Sequence, residues 1–278
     1  MTTPAVLGPT QPIEAPRIQA PATGLLSLAR QPDMGDDRWM LGYQYRPEVP
    51  VGSARVRGSV SKTYSAPIGG TAAVSDRVWT IPVYLTVEDS EAAFSYEAVD
   101  LQNRVQRELE AYTSKLLAHE FWTGEIAKAD GLPNRVLQSA NTIDITGTYA
   151  PGAVAPQAAV AALMQALADH GMADGMIHCS RYVGLRMPDA WRNEQTLEDH
   201  GFLVVADSGY PGTGPTGTGG PNWAYATEIV NVRLGPIELV PMDLPQSIDR
   251  ASNTVTYRAQ RLGAVDFAGP VFAVQVTP

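Results

Sequence analysis

The chain has a single cysteine in 278 residues, Cys179, which excludes an internal disulfide and any metal site built from several thiolates. Cys179 lies in the short apolar run Met176-Ile-His-Cys-Ser180, where a buried small hydrophobe is expected rather than a reactive thiol. Positive charge is also short. Twenty basic residues stand against 29 acidic ones, a net charge of −9, which disfavours nonspecific binding to nucleic acid phosphates by the chain as a whole. No apolar run reaches membrane-spanning length, and the N-terminal segment lacks the basic stretch and apolar core of a secretory signal. A soluble chain without a membrane partner is expected, and the sequence contains no internal repeat.

Recognisable catalytic chemistry is equally scarce. The four histidines, His119, His170, His178 and His200, never pair at the i, i+3 or i, i+4 spacing that puts two metal ligands on one helix face. There is no Gly-x-Ser-x-Gly elbow, and no serine or cysteine has an evident activating partner. Gly212-Thr-Gly-Pro-Thr-Gly217 has the spacing of a dinucleotide fingerprint, but Pro215 lies inside it and more Gly and Thr follow where a helix should open. A flexible surface loop is the expectation there. The sequence thus gives no catalytic, cofactor or metal residue, and the chain is not expected to be an enzyme.

What the chain does have is a β segment feeding into a long amphipathic helix. Arg77-Val-Trp-Thr-Ile-Pro-Val-Tyr-Leu-Thr-Val87 is rich in branched and aromatic residues suited to a pleated surface. From Phe94 to Trp122, apolar residues at Phe94, Ala98, Leu101, Val105, Leu109, Tyr112 and Leu116 step by three and four, a single helical stripe. Ser95 is placed to cap the start, Glu97 and Asp100 suit the positive end, and Gly124 suits a left-handed stop. Such a rod, about 40 Å long, needs a partner surface of its own length. That points to a structural part.

Around this unit the texture varies. Residues 1–37 are dense in proline with no helical or strand period, so they read as an arm that orders only against a neighbour. Residues 38–79 are short β-like pieces separated by Gly, Ser and Pro, a hairpin-like excursion with little apolar material. Six basic residues face two acidic ones there, a net +4, against −11 for residues 80–278. A basic hairpin on an acidic body suits another copy of that body. Arg55 and Arg57 stand two apart on an alternating segment and would project from one face of a strand. Beyond the helix, strands are expected at 142–146, 176–180, 201–206, 228–234, 237–240, 254–261 and 269–276. Helices are expected from Pro156 to Gly171 and over 181–187.

This order of parts resembles the major capsid proteins of tailed bacteriophages, the Hong Kong 97-type fold. The local likeness is greatest to phages infecting actinobacteria. Trp39-Met-Leu-Gly-Tyr-Gln-Tyr-Arg-Pro47 resembles the start of the family's extended loop, and Val83-Tyr-Leu-Thr-Val87 with Phe121-Trp-Thr-Gly124 its strand and spine helix. Gly175-Met-Ile-His-Cys-Ser-Arg181 and Phe202-Leu-Val-Val-Ala-Asp-Ser-Gly-Tyr210 resemble its axial domain. Ile248-Asp-Arg-Ala-Ser-Asn-Thr-Val255 and Val271-Phe-Ala-Val274 resemble its closing peripheral strands.

The resemblance implies an α+β fold with an N-terminal arm (1–37), an extended β-hairpin loop (38–79), a peripheral domain with a long spine helix (80–135 and 230–278) and an axial domain (136–229). It implies a shell subunit assembling into pentamers and hexamers around double-stranded DNA, located in the virion and assembled in the host cytoplasm. An encapsulin-like nanocompartment shell is the alternative. Its partners would be itself, a portal, a separate scaffolding protein and a decoration protein, with packaged DNA held without specific binding. Inter-subunit contact falls to Arg55, Arg57 and Lys62. Some members join a loop lysine to a neighbour's asparagine, and Lys62 and Asn253 are the positions for it here. That chemistry needs a desolvated neutral amine beside a carboxylate base, so a solvated, uncrosslinked Lys62 is expected.

Overall fold

The computed structural model describes residues 19, 23–32, 37–46, 77–93, 100–149, 151–172, 174–187, 202–241 and 247–277. Arg55, Arg57 and Lys62, the span 47–76 and His200 lie outside the described residues, as do Phe94, Ser95, Glu97 and Ala98.

The first described helix lies within the segment expected to be an arm. Helix α1 (Leu25–Leu28) packs into the body of its own chain: Leu25 is fully buried, and the Arg30 backbone bridges to Asn231. A 3-10 turn (Asp37–Leu41) then leads into β1 (Tyr43–Tyr45), which pairs antiparallel with β2 (Val78–Thr80). The strand expected over 77–87 is two strands. Pro82, which has no N–H to donate, lies at the break, and β3 (Val83–Ala92) continues in another sheet.

The helix α2 (Leu101–Thr123) follows, 23 residues and about 34 Å long. Asp100 occupies its N-cap position, and Gly124, at φ 61° and ψ 35°, makes the left-handed stop. The buried face departs from the expected stripe in its second half. Leu101, Val105 and Leu109 are buried, but Tyr112 is 38% exposed and the buried set continues through Thr113, Ser114, Leu117, Ala118, Phe121 and Trp122. The short α3 (Glu125–Ala129) and β4 (Ile143–Asp144) come next. They are followed by α4 (Pro156–Asp169), which opens on its proline, then β5 (Gly175–Ser180), α5 (Arg181–Gly184) and β6 (Phe202–Asp207). The β-rich remainder is β7 (Trp223–Thr227), β8 (Asn231–Leu234), β9 (Glu238–Val240), β10 (Ile248–Asp249), β11 (Thr254–Asp266) and β12 (Phe272–Gln275).

Two five-stranded sheets result. In the first, β11 pairs antiparallel with the whole of β3 on one side and with β8, β9 and β10 on the other. The second runs β4-β12-β7-β5-β6, with α4 packed on β12, β7 and β5. The strand expected to close the first sheet near 271–274 therefore belongs to the second, where β12 runs parallel to β4 and antiparallel to β7. Strand β7, which sequence periodicity did not single out, is central to that sheet. The main apolar cluster draws on both sheets and on α1 and α2, while α4 and the far face of the second sheet form a separate cluster.

Candidate functional site

Two polar clusters inside this frame connect its parts. The first lies where α2 meets the second sheet. The Asp207 carboxylate, 1% exposed, accepts hydrogen bonds from Leu25 N (2.8 Å), Ser114 Oγ (3.1 Å) and Gly209 N (2.8 Å). One side chain thereby ties α1, α2 and the turn after β6. A buried carboxylate requires such donors, because leaving it unpaired costs several kcal/mol, about 3–5.

Beside it, the Thr227 hydroxyl donates to Glu228 O, so it accepts from His178 Nε2–H at 2.9 Å. His178 Nδ1 then accepts from the Tyr210 hydroxyl at 3.0 Å. His178 is a neutral, fully satisfied core histidine, and burial pushes its pKa down to about 3. Burial likewise raises the Cys179 thiol to about 12, as expected for an inert small hydrophobe. His170 caps its own helix through Ala166 O, and His119, near the end of α2, lies 3.6 Å from Glu125. No group of three potential metal ligands comes together among the described residues.

The Gly/Thr loop after residue 210 is exposed over 216–221, as its composition predicts, but its first part is held down. The Thr213 carbonyl accepts from Trp122 Nε1 (3.2 Å) and the Tyr225 hydroxyl (2.9 Å), and Gln138 Nε2 reaches Thr213 Oγ1 and Gly214 O. Trp122 itself packs edge-on against Tyr225, with ring centres 4.7 Å apart. The loop closes over the end of the long helix.

The second cluster sits at the root of the hairpin. The Tyr43 hydroxyl donates to Asp266 Oδ2 (2.6 Å), and Asn231 Nδ2 donates to Asp266 Oδ1 (2.8 Å). Arg233 pairs with Asp266, donates to the Tyr43 hydroxyl at 2.8 Å and lies 4.4 Å above the Tyr43 ring. The Tyr45 hydroxyl donates to Phe267 O at 2.7 Å, a carbonyl shared with Arg135, whose guanidinium stacks 4.4 Å from the Phe267 ring and also reaches Gly269 O. Burial raises the phenol of Tyr43 to about 12 and raises Tyr45 as well. Burial also raises the Glu228 carboxyl, an effect that nearby Arg135 opposes. In both clusters a hydroxyl sits on a carboxylate, Ser114 on Asp207 and Tyr43 on Asp266, and each pair joins separate elements. Both hold elements in position.

The residues named from sequence as contacts, Arg55, Arg57 and Lys62, cannot be compared with these clusters, since they fall outside the described residues. Asn253, the other expected linkage position, occupies the exposed turn before β11 with φ 55°. Sequence reasoning missed Asp207, Asp266, Arg233 and Arg135. For Asp207, Asp266 and Arg233 the only signal was a charged residue at the end of or inside a β segment, Arg135 in its loop gave none, and the partners lie elsewhere in the sequence.

No protein-family model matches the chain, and no curated protein matches it. Solved structures do. A chain of Microbacterium phage Oxtober96 is similar at 13% identity and a TM-score of 0.56, over 98% of this chain and 97% of that one. The capsid of Myoviridae phage XM1 gives 12% and 0.55 over 98% and 97%, and the capsid of an empty GTA particle 12% and 0.53 over 98% and 96%. At these identities the likeness is one of fold. The chain has the α+β fold of these capsid chains.

Proposed function

We propose that the chain is a major capsid protein, a shell subunit that assembles with copies of itself into pentamers and hexamers enclosing double-stranded DNA. The observation that carries this reading is the match to capsid chains over nearly the full length of both partners. A role in the virion follows from it, with portal, separate scaffolding and decoration proteins as further partners. The proposed role is structural, and the two polar clusters that join separate elements suit it.

In this reading the peripheral domain is the first sheet with α2, and the axial domain is the second sheet with α4. The chain ranges 80–135 with 230–278 and 136–229 describe them, except that β12 belongs with the axial strands. The basic segment 38–79 is the extended loop, which reaches an acidic neighbour. Lys62 stays solvated and forms no isopeptide bond, so boiled particles run as one band at the subunit mass of 29.8 kDa. A ladder abolished by Lys62→Arg would contradict that. The reading as a whole is tested by electron microscopy of the purified protein. Closed shells tens of nanometres across are expected, and a monomer under every salt, pH and concentration condition would overturn it.

A further inference from the structure

The β1–β2 ribbon is fastened to the body at both of its legs. On the first leg, Tyr43 and Tyr45 both point their hydroxyls at the end of β11, onto the Asp266 carboxylate and the Phe267 carbonyl. On the second, Asn134 makes two hydrogen bonds with the backbone of Ile81, accepting from its N–H at 2.8 Å and donating to its carbonyl at 2.7 Å. Thr80 between them is buried. Asp266 is 3% exposed, and so deep a carboxylate is tolerated because Tyr43, Asn231 and Arg233 all supply it with donors. Hydrogen bonds at fixed distance, with Arg233 stacked on the Tyr43 ring, leave the ribbon one orientation relative to the first sheet. The three residue pairs described between the two strands are a short ribbon, and these contacts add fixed points to its direction.

We propose that this cluster is a clamp that sets the direction in which segment 47–76 leaves the body, and through it the spacing and curvature of neighbouring copies. The second half of this statement rests on the shell reading above. Ribbon and first sheet move as one body, so adjustment between non-equivalent positions in a shell falls outside Tyr43–Tyr45 and Val78–Ile81.

The test is the double variant Tyr43→Phe with Tyr45→Phe. It removes both hydroxyls and keeps both rings, including the one under Arg233, and the Arg233–Asp266 pair. In the soluble subunit, amide exchange over 43–45 and 78–80 should quicken about ten-fold or more, while circular dichroism and exchange within α2 stay as in wild type. Assembled particles should spread in diameter where wild-type particles are uniform. Tyr84→Phe, at an exposed tyrosine of β3, should match wild type in both measurements. If the double variant loses its fold, Tyr43→Phe alone carries the same readouts. Unchanged exchange, or quickened exchange with uniform wild-type diameters, overturns the proposal. A wild-type protein that never forms shells would sink the shell reading instead, while exchange on that monomer would still decide whether the clamp holds the ribbon.

Discussion

Asp207 and His178 show how single residues set the stability of the junction. Asp207→Ala leaves the Leu25 and Gly209 N–H groups and the Ser114 hydroxyl without their acceptor, so unfolding in urea should show a loss of about 3 kcal/mol. Asp207→Asn, which keeps an acceptor oxygen, should lose less. His178 gives a pH signature. Its folded pKa is depressed to about 3 from an unfolded value of 6.5, so between these values the unfolded chain holds the extra proton. The full stabilisation is present above pH 6.5 and declines as pH falls toward 3, by at most about 1.4 kcal/mol per pH unit. Wild type should therefore lose stability more steeply than His178→Gln between pH 6 and pH 4, and parallel profiles would rule this out. The neighbouring sequence gave no hint of either role. Asp207 closes an apolar strand and His178 lies inside one, and their partners, Leu25, Ser114, Tyr210 and Thr227, come from four separate parts of the chain.

Among the elements, the long helix shows what periodicity reads well and where it fails. Leu101, Val105 and Leu109 follow the expected stripe because that half of α2 covers only the first sheet. After Leu109 the helix is pressed on a second side by the turn following β6, and the buried face widens to take in Ser114, Ala118 and Trp122 while Tyr112 turns to solvent. A one-sided stripe cannot report a helix with two neighbours. The closest approach is at Gly209, where a Cβ would lie 2.2 Å from the Lys115 carbonyl oxygen. Gly209→Ala should therefore separate the helix from the turn and lower the melting temperature by several degrees, whereas Gly220→Ala, whose Cβ would meet only the end of Asn222, should leave it nearly unchanged. Strand order was less legible than strand existence. Gly269–Val276 reads as a strand from its composition, but the sheet it joins depends on β4 and β7, more than forty residues away. Composition also misled at 212–214, where glycine and threonine suggested mobility and the Thr213 carbonyl is pinned by Trp122 and Tyr225.

For the whole molecule, the strongest expectation is electrostatic. Residues 38–79 carry a net +4 and residues 80–278 a net −11, and the basic segment has too little apolar material to dock by burial alone. One exposed pair is worth only about 0–1 kcal/mol, but a closed shell repeats it at every contact. Arg55→Glu with Arg57→Glu should leave the circular dichroism of the subunit unaltered and cut particle yield by sedimentation about ten-fold, and high salt should slow wild-type assembly. Normal yield from the double variant would mean that these charges are only solvated. The placement of β12 carries a different consequence, one of timing. Because β12 lies between β4 and β7, a growing chain on the ribosome cannot join those strands until residue 275 has been made. The first sheet gains its long strand β11 some ten residues sooner. A nascent copy would thus carry a second sheet still open on the β12 side at a point where the first sheet already has all its strands, so the first sheet can close before the second.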